Sequence, residues 1–217
     1  MAECTICGPH FIGRCPHLPD PDIARLFEAR RGTNLDAHGF AVGKAARGER
    51  SGCWMTPRAV LDRGLAVVRD TAGWYLSDAW EEGWGLDAAA EPGSAVASLW
   101  YGPGSLLRAD ALAAPAWTDG APGPVWLNPP YSEMPAFAAR AEVEAAQRWV
   151  GWLSFARTDT RAFQGLWWSP RLRAYSFIPG RIRFVDPVSG KAGQSAPAPS
   201  VFLVLGPGDA PALRVRW

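Results

Sequence analysis

Val125-Trp126-Leu127-Asn128-Pro129-Pro130-Tyr131 is the stretch whose reading decides the fold. Three large apolar residues in a row suit a strand buried on both faces. Two consecutive prolines then remove two backbone donors and fix φ, so the strand must stop at Asn128. Working outward toward the carboxyl end, residues 133–148 form a helical pattern with Phe137, Ala141 and Ala145 on one side. Residues 149–155 read as a buried strand, 160–168 as a helix, and 175–178, 181–185 and 200–205 as strands. Toward the amino end, Thr56-Pro57 opens a helix with Thr56 as N-cap and Pro57 in its first position. Its apolar stripe is Val60, Leu61, Leu65 and Val68. Trp84-Gly85-Leu86 runs as a short strand into Asp87, and the small residues of 88–97 form a turn. Strands alternating with helices predict an α/β domain: a three-layer sandwich around a mostly parallel sheet. In such sheets ligands bind beyond the carboxyl ends of the strands, which is where Asn128 falls.

The 217 residues allow one domain plus an appendage. With 48% hydrophobic and 20% charged residues, neither a disordered chain nor a fibrous repeat fits. The formal charge of +1 announces no nucleic-acid partner in bulk. No apolar run approaches the roughly 20 residues of a membrane helix and no signal-peptide core follows Met1, so a cytoplasmic protein is expected. Three of the four cysteines, Cys4, Cys7 and Cys15, crowd the first 15 residues, with His10 and His17 among them. A Cys-x2-Cys turn places two thiolates near one point, and four such ligands close a tetrahedral zinc shell. One structural zinc on Cys4, Cys7, Cys15 and His17 is therefore expected, with His10 as the spare ligand and free or redox-active thiols as the alternative. Cys53 stands apart and suits a packed core position. The partition is a cysteine-rich segment and helix over 1–31, a linker over 32–52, and the main domain over 53–217.

The residues after the strand suggest a chemistry. An exocyclic amine on a nucleobase is a poor nucleophile because its lone pair is delocalised into the ring. Two acceptors aimed at its N–H bonds favour the tetrahedral geometry it must reach to accept an alkyl group. The Asn128 side-chain oxygen and the Pro129 carbonyl provide such a pair, and neither Pro129 nor Pro130 carries an N–H to compete. Tyr131 offers a flat face on which a base turned out of its stack can rest. Catalysis of this kind is positional and electrostatic and needs no strong base.

At this point the chain resembles the phage-type DNA N-6-adenine methyltransferases over residues 53–205. The likeness runs through Trp54-Met55-Thr56-Pro57, Gly85-Leu86-Asp87-Ala88-Ala89-Ala90, Tyr101, Asp110-Ala111-Leu112 with Trp117, and 125–131. It continues in Ala156-Arg157-Thr158-Asp159-Thr160 and Gly180-Arg181-Ile182-Arg183-Phe184. Ala111 stands where the family often has glycine, and no long insertion offers a separate target-recognition domain. The resemblance implies a Rossmann-like methyltransferase fold, S-adenosylmethionine as cofactor, DNA as partner, and a phage or bacterial-host cytoplasm. It implies Asn128, Pro129, Pro130 and Tyr131 as catalytic residues, and Thr56, Pro57, Asp87, Ala88 and Asp110 as the cofactor site. Read as residues alone, Asp87 also suits a helix N-cap, and Asp110 a turn.

DNA is expected against residues 155–191, where Arg157, Arg161, Arg171, Arg173, Arg181, Arg183 and Lys191 meet only Asp159 and Asp186. Arg181 and Arg183 alternate with Ile182 and Phe184, so both should share one strand face toward the site, with Arg157 as a further contact. A solvated arginine-rich face gives the same composition. The same tetrapeptide also suits an RNA adenine or a protein glutamine amide as methyl acceptor. A zinc-containing nucleic-acid-binding protein without activity is the remaining alternative.

Overall fold

The computed structural model describes residues 54–73, 83–117 and 123–217. All of them belong to the compact unit Ala45–Trp217. Segments 1–31 and 32–52, with Cys4, Cys7, His10, Cys15 and His17, and also Cys53, lie outside the described residues.

Helix α1 (Arg58–Ala72) buries Leu61, Leu65, Val67 and Val68. It starts one residue later than its sequence suggests. Pro57 has an extended ψ of 139° and is itself the N-cap, so Thr56 does not cap the helix. Strands β1 (Leu86–Asp87), β2 (Leu99–Trp100) and β3 (Val125–Leu127) follow. A 3-10 turn over Tyr131–Glu133 leads into α2 (Met134–Glu144), then β4 (Val150–Phe155), α3 (Arg161–Trp167) and β5 (Leu172–Ile178). The hydroxyl of Thr160 caps α3 through the Phe163 N–H. The chain ends in β6 (Arg183–Val185), β7 (Ala192–Ser195), β8 (Ser200–Leu205) and β9 (Leu213–Arg214).

Seven strands form one sheet in the order β2-β1-β3-β4-β8-β5-β9, while β6 and β7 pair apart as an antiparallel ribbon. Strands β2, β1, β3 and β4 are mutually parallel. Strand β8 is antiparallel to both β4 and β5, and β9 runs parallel to β5. One reversed strand therefore lies inside an otherwise parallel sheet, as expected of a mostly parallel α/β domain.

Side-chain alternation builds the other two layers. Val125, Leu127, Trp152 and Leu203 pack with Phe137 and Ala141 of α2 and Phe163 and Leu166 of α3. Trp126, Leu153, Phe202 and Val204 face the opposite way, onto Leu61, Val67 and Val68 of α1. On that side Trp84 meets Trp126 edge-on at 5.0 Å, and Trp126 stacks on Phe202 at 6.1 Å. Gly151 makes room for these rings, since a Cβ there would lie 2.5 Å from Trp84. Much of the tryptophan is thus core.

Other elements also depart from the sequence expectation. Strands β2 and β9 are two residues long, and β7 is Ala-Gly-Gln-Ser with no apolar pattern; each is held by its partner's backbone. Strand β5 begins three residues early because Arg173, counted above with the surface cations, is buried inside it. Its guanidinium donates to the carbonyls of Pro207, Gly208 and Ala210, so it braces that loop and does not face a nucleic acid. No helix among the described residues is long and apolar enough to cross a membrane.

Candidate functional site

Strands β1, β3, β4 and β5 end along one edge, at Asp87, Leu127, Phe155 and Ile178. Ser200, the first residue of the reversed strand, pairs with both Phe155 and Ile178. Leu127 pairs with Trp152, so β4 runs three residues past β3. The prolines stop β3 early, and Asn128, Pro129 and Pro130 occupy the resulting step.

Asn128 is half-buried there, and its Nδ2 donates to the Thr56 hydroxyl at 3.4 Å. That bond turns Oδ1 the other way, as an acceptor. Pro129 is buried, whereas Pro130 is exposed with φ −54° and ψ 132°. Tyr131 opens the 3-10 turn and stacks on Phe155 with ring centroids 4.1 Å apart and planes 9° from parallel. With 44% of its surface exposed, Tyr131 keeps one ring face open. The sequence reading missed Phe155. Its signal was its place as the last residue of the apolar run beside the tetrapeptide.

Thr56 is buried, and its neighbour Met55 exchanges both main-chain hydrogen bonds with Val185 of the ribbon. Because Pro57 has no side-chain acceptor, the first N–H groups of α1 receive no side-chain cap. Such an end suits a carboxylate.

Asp87 is 3% exposed. Its Oδ1 accepts from the Ala89 N–H and its Oδ2 from the Val96 N–H, both at 3.1 Å. It therefore ties down the turn that follows β1 and does not cap a helix. Burial pushes its carboxyl up to about 6, and the two N–H donors pull the other way. Ala88 is fully buried beside it and donates to the Trp126 carbonyl. Asp110 is exposed and accepts from the Leu112 N–H at 2.8 Å, the turn geometry weighed above. The 110–117 segment is locked from beneath. Buried Glu144 accepts from the Trp117 N–H, and the Trp117 indole donates to the Ala111 carbonyl. Glu144 could have been noticed as an acid within the apolar stripe of Phe137 and Ala141.

Arg157 is exposed two residues beyond β4. Arg181 precedes β6 and does not lie within it, yet burial still alternates: Arg181 and Arg183 are exposed and Ile182 is buried. Arg181 donates to the Ala196 carbonyl at 3.4 Å and Arg183 to that of Gly193 at 3.0 Å. Trp167 packs among Phe163, Tyr175 and Phe177. No group of three or more His, Cys, Asp or Glu side chains among the described residues forms a metal site.

A cavity of about 290 Å³ opens elsewhere, between the first two turns of α1 and residues 83–85 and 96–99. It includes none of the residues assigned above to cofactor or catalysis.

No curated protein and no solved structure matches the chain. The family model for DNA N-6-adenine-methyltransferase (Dam) matches residues 47–215, a span that holds every strand of the sheet and every site residue just described. With that match over most of its length, the chain belongs to the DNA N-6-adenine-methyltransferase (Dam) family.

Proposed function

We propose that the protein transfers a methyl group from S-adenosylmethionine to the N6 amine of adenine in DNA. The observation that carries this reading is Asn128 at the step between β3 and β4, its Nδ2 engaged by Thr56 and its Oδ1 left to accept. The cofactor supplies a methyl group made electrophilic by its sulfonium. The chain's own residues fit it in three ways. The uncapped start of α1, at Thr56 and Pro57, suits its carboxylate. Buried Asp87, with Ala88 beside it, suits its cationic amino group, while Asp110 would accept from the adenine amine of the cofactor.

On the substrate side, Asn128 Oδ1 and the Pro129 carbonyl each accept one hydrogen of the target amine. They draw it toward tetrahedral geometry and hold the proton that must leave after transfer. Tyr131, backed by Phe155, holds the extruded base flat against its open face. Both acceptors are set before the base arrives, so little reorganisation remains for the reaction itself. Arg157, Arg181 and Arg183 contact phosphates. The cysteine-rich amino terminus carries one structural zinc on Cys4, Cys7, Cys15 and His17, and the protein works in a bacterial cytoplasm.

The test is incubation with methyl-labelled cofactor and plasmid DNA, followed by nucleoside analysis. Label should appear in N6-methyladenine. Asn128→Ala should lower the rate by roughly 10²–10³, the usual effect of losing one preorganised hydrogen-bonding partner. Calorimetric cofactor affinity should stay the same. Label found only in RNA or in protein glutamine would assign the same fold to another acceptor.

A further inference from the structure

We propose that the β6–β7 ribbon reads and opens the duplex: it enters the major groove, and Val188 at its tip occupies the space that the extruded adenine leaves. The inference rests on the adenine-methylating function proposed above.

The ribbon is anchored at its base and bare at its end. Ile182, Ala196 and Ala198 are buried in the core on the α1 side, and Phe184 packs against them. Met55 adds a third backbone segment through Val185, and Trp54 lies over Gly193, where a Cβ would come within 2.6 Å of the indole. A two-stranded ribbon alone is marginal, so these attachments fix its direction. Beyond them the turn is tightly made. Asp186 Oδ1 accepts from the Val188 and Ser189 N–H groups, its carbonyl accepts from Gly190, and its own N–H donates to Lys191. Gly190 supplies the left-handed φ of 65° that the turn requires.

At the tip Val188 is 90% exposed. Such turns usually carry Gly, Asn, Asp or Ser, so a branched apolar residue there gains nothing from water. Lys191 follows the turn, Arg183 opens β6 and Arg181 lies just before it, all exposed, and the one carboxylate of the turn, Asp186, is engaged by the turn's own N–H groups. An apolar point between cations suits a polyanion whose interior is stacked rings. The major groove of B-DNA is wide enough to admit a two-stranded ribbon. Apolar wedges between base steps are a known means of holding a duplex open.

The placement agrees. Val185 pairs with Met55, Met55 adjoins Thr56, and Thr56 holds Asn128. Val188 is three residues further along, in the turn that closes the ribbon. The tip thus stands off from the catalytic step while joined to it by a short, rigid path. No separate recognition domain interrupts 125–217, and the ribbon supplies one in miniature, with Gln194 exposed to reach base edges and Arg183 exposed toward the phosphates.

The test uses the full chain and a duplex containing the adenine that the wild-type protein methylates. Val188→Ser should lose at least tenfold in kcat/KM when that adenine is paired with thymine. It should match the wild type when the opposite position is abasic, because extrusion there needs no wedge. Val188→Ile should restore the paired substrate, and cofactor affinity and melting temperature should not move in any variant. Equal rates for Val188→Ser and wild type on the paired duplex overturn the inference, as does an equal loss on both duplexes. A wild-type protein that methylates no DNA would instead remove the functional reading, and this inference with it.

Discussion

Asp87 carries two demands at once. Its carboxylate is buried, and both oxygens accept from the turn it organises. Desolvation raises its pKa from 3.8 to about 6. For an acid the sign is fixed: the folded state holds the proton more tightly than the unfolded chain does. Any stabilisation from Asp87 is therefore fully present below about pH 4 and is lost as pH rises to about 6. The ionised form at neutral pH costs on the order of 3 kcal/mol relative to the protonated one. A cationic ligand group beside Asp87 offsets that cost, so cofactor should bind the ionised form. Cofactor affinity is predicted to fall as pH drops through about 6, approaching tenfold per pH unit below it. Asp87→Asn should bind weakly and without that dependence. Calorimetry between pH 5 and 8 decides: a flat wild-type profile would make Asp87 purely a brace for the turn. The sequence showed Asp87 at a strand end, but its two backbone partners depend on how residues 88–96 fold back, which no local pattern encodes.

Elements were legible in proportion to how much of their stability lies in their own side chains. Strands β3, β4 and β8 are runs of large apolar residues buried on both faces, and each was read to within a residue. Helix α3 was read as 160–168, and Thr160 proves to be its N-cap. Strands β2 and β9 have two residues each and are formed by neighbours' backbones, so nothing in their composition marks them. The place of the 128–131 tetrapeptide was legible because two prolines end a strand regardless of context. The α1 start was misplaced because Thr56 had two possible partners, and Asn128, 72 residues away, proved to be the one it met. The join between β2 and the β1 turn is the sharpest constraint among the elements. Gly102 has φ +149°, and a Cβ there would lie 1.8 Å from the Ala90 carbonyl oxygen. Tyr101 meanwhile bonds to Asp87 and Ala90 through its backbone. Gly102→Ala should cost about 3 kcal/mol, a fall of roughly 6–12 °C in melting temperature, and should weaken cofactor binding. Gly104→Ala, with only a Pro92 side-chain atom 3.5 Å away, should cost clearly less. Equal melting of the two variants would show that this join relaxes freely.

For the molecule as a whole, the family match covers 47–215 and leaves the cysteine-rich start outside it. The zinc proposed there rests on the spacing of Cys4, Cys7, Cys15 and His17 in the sequence. Purified full-length protein should carry about one equivalent of zinc. Cys4→Ser and Cys15→Ser should each remove it, as read by elemental analysis. Wild-type protein free of metal would leave the cluster as ordinary thiols.

The reversed strand has a consequence for how the chain is born. Strand β8 fills the centre of the sheet yet is nearly the last element synthesised, with β4 on one side and β5 on the other. Until Ser200–Leu205 leaves the ribosome, both neighbours present unpaired backbone edges, and neither can close on the other. The sheet is thus sealed by a late insertion, and growth from the amino end cannot complete it. A message cut short before that point yields a nascent chain whose exposed edges invite pairing with another copy.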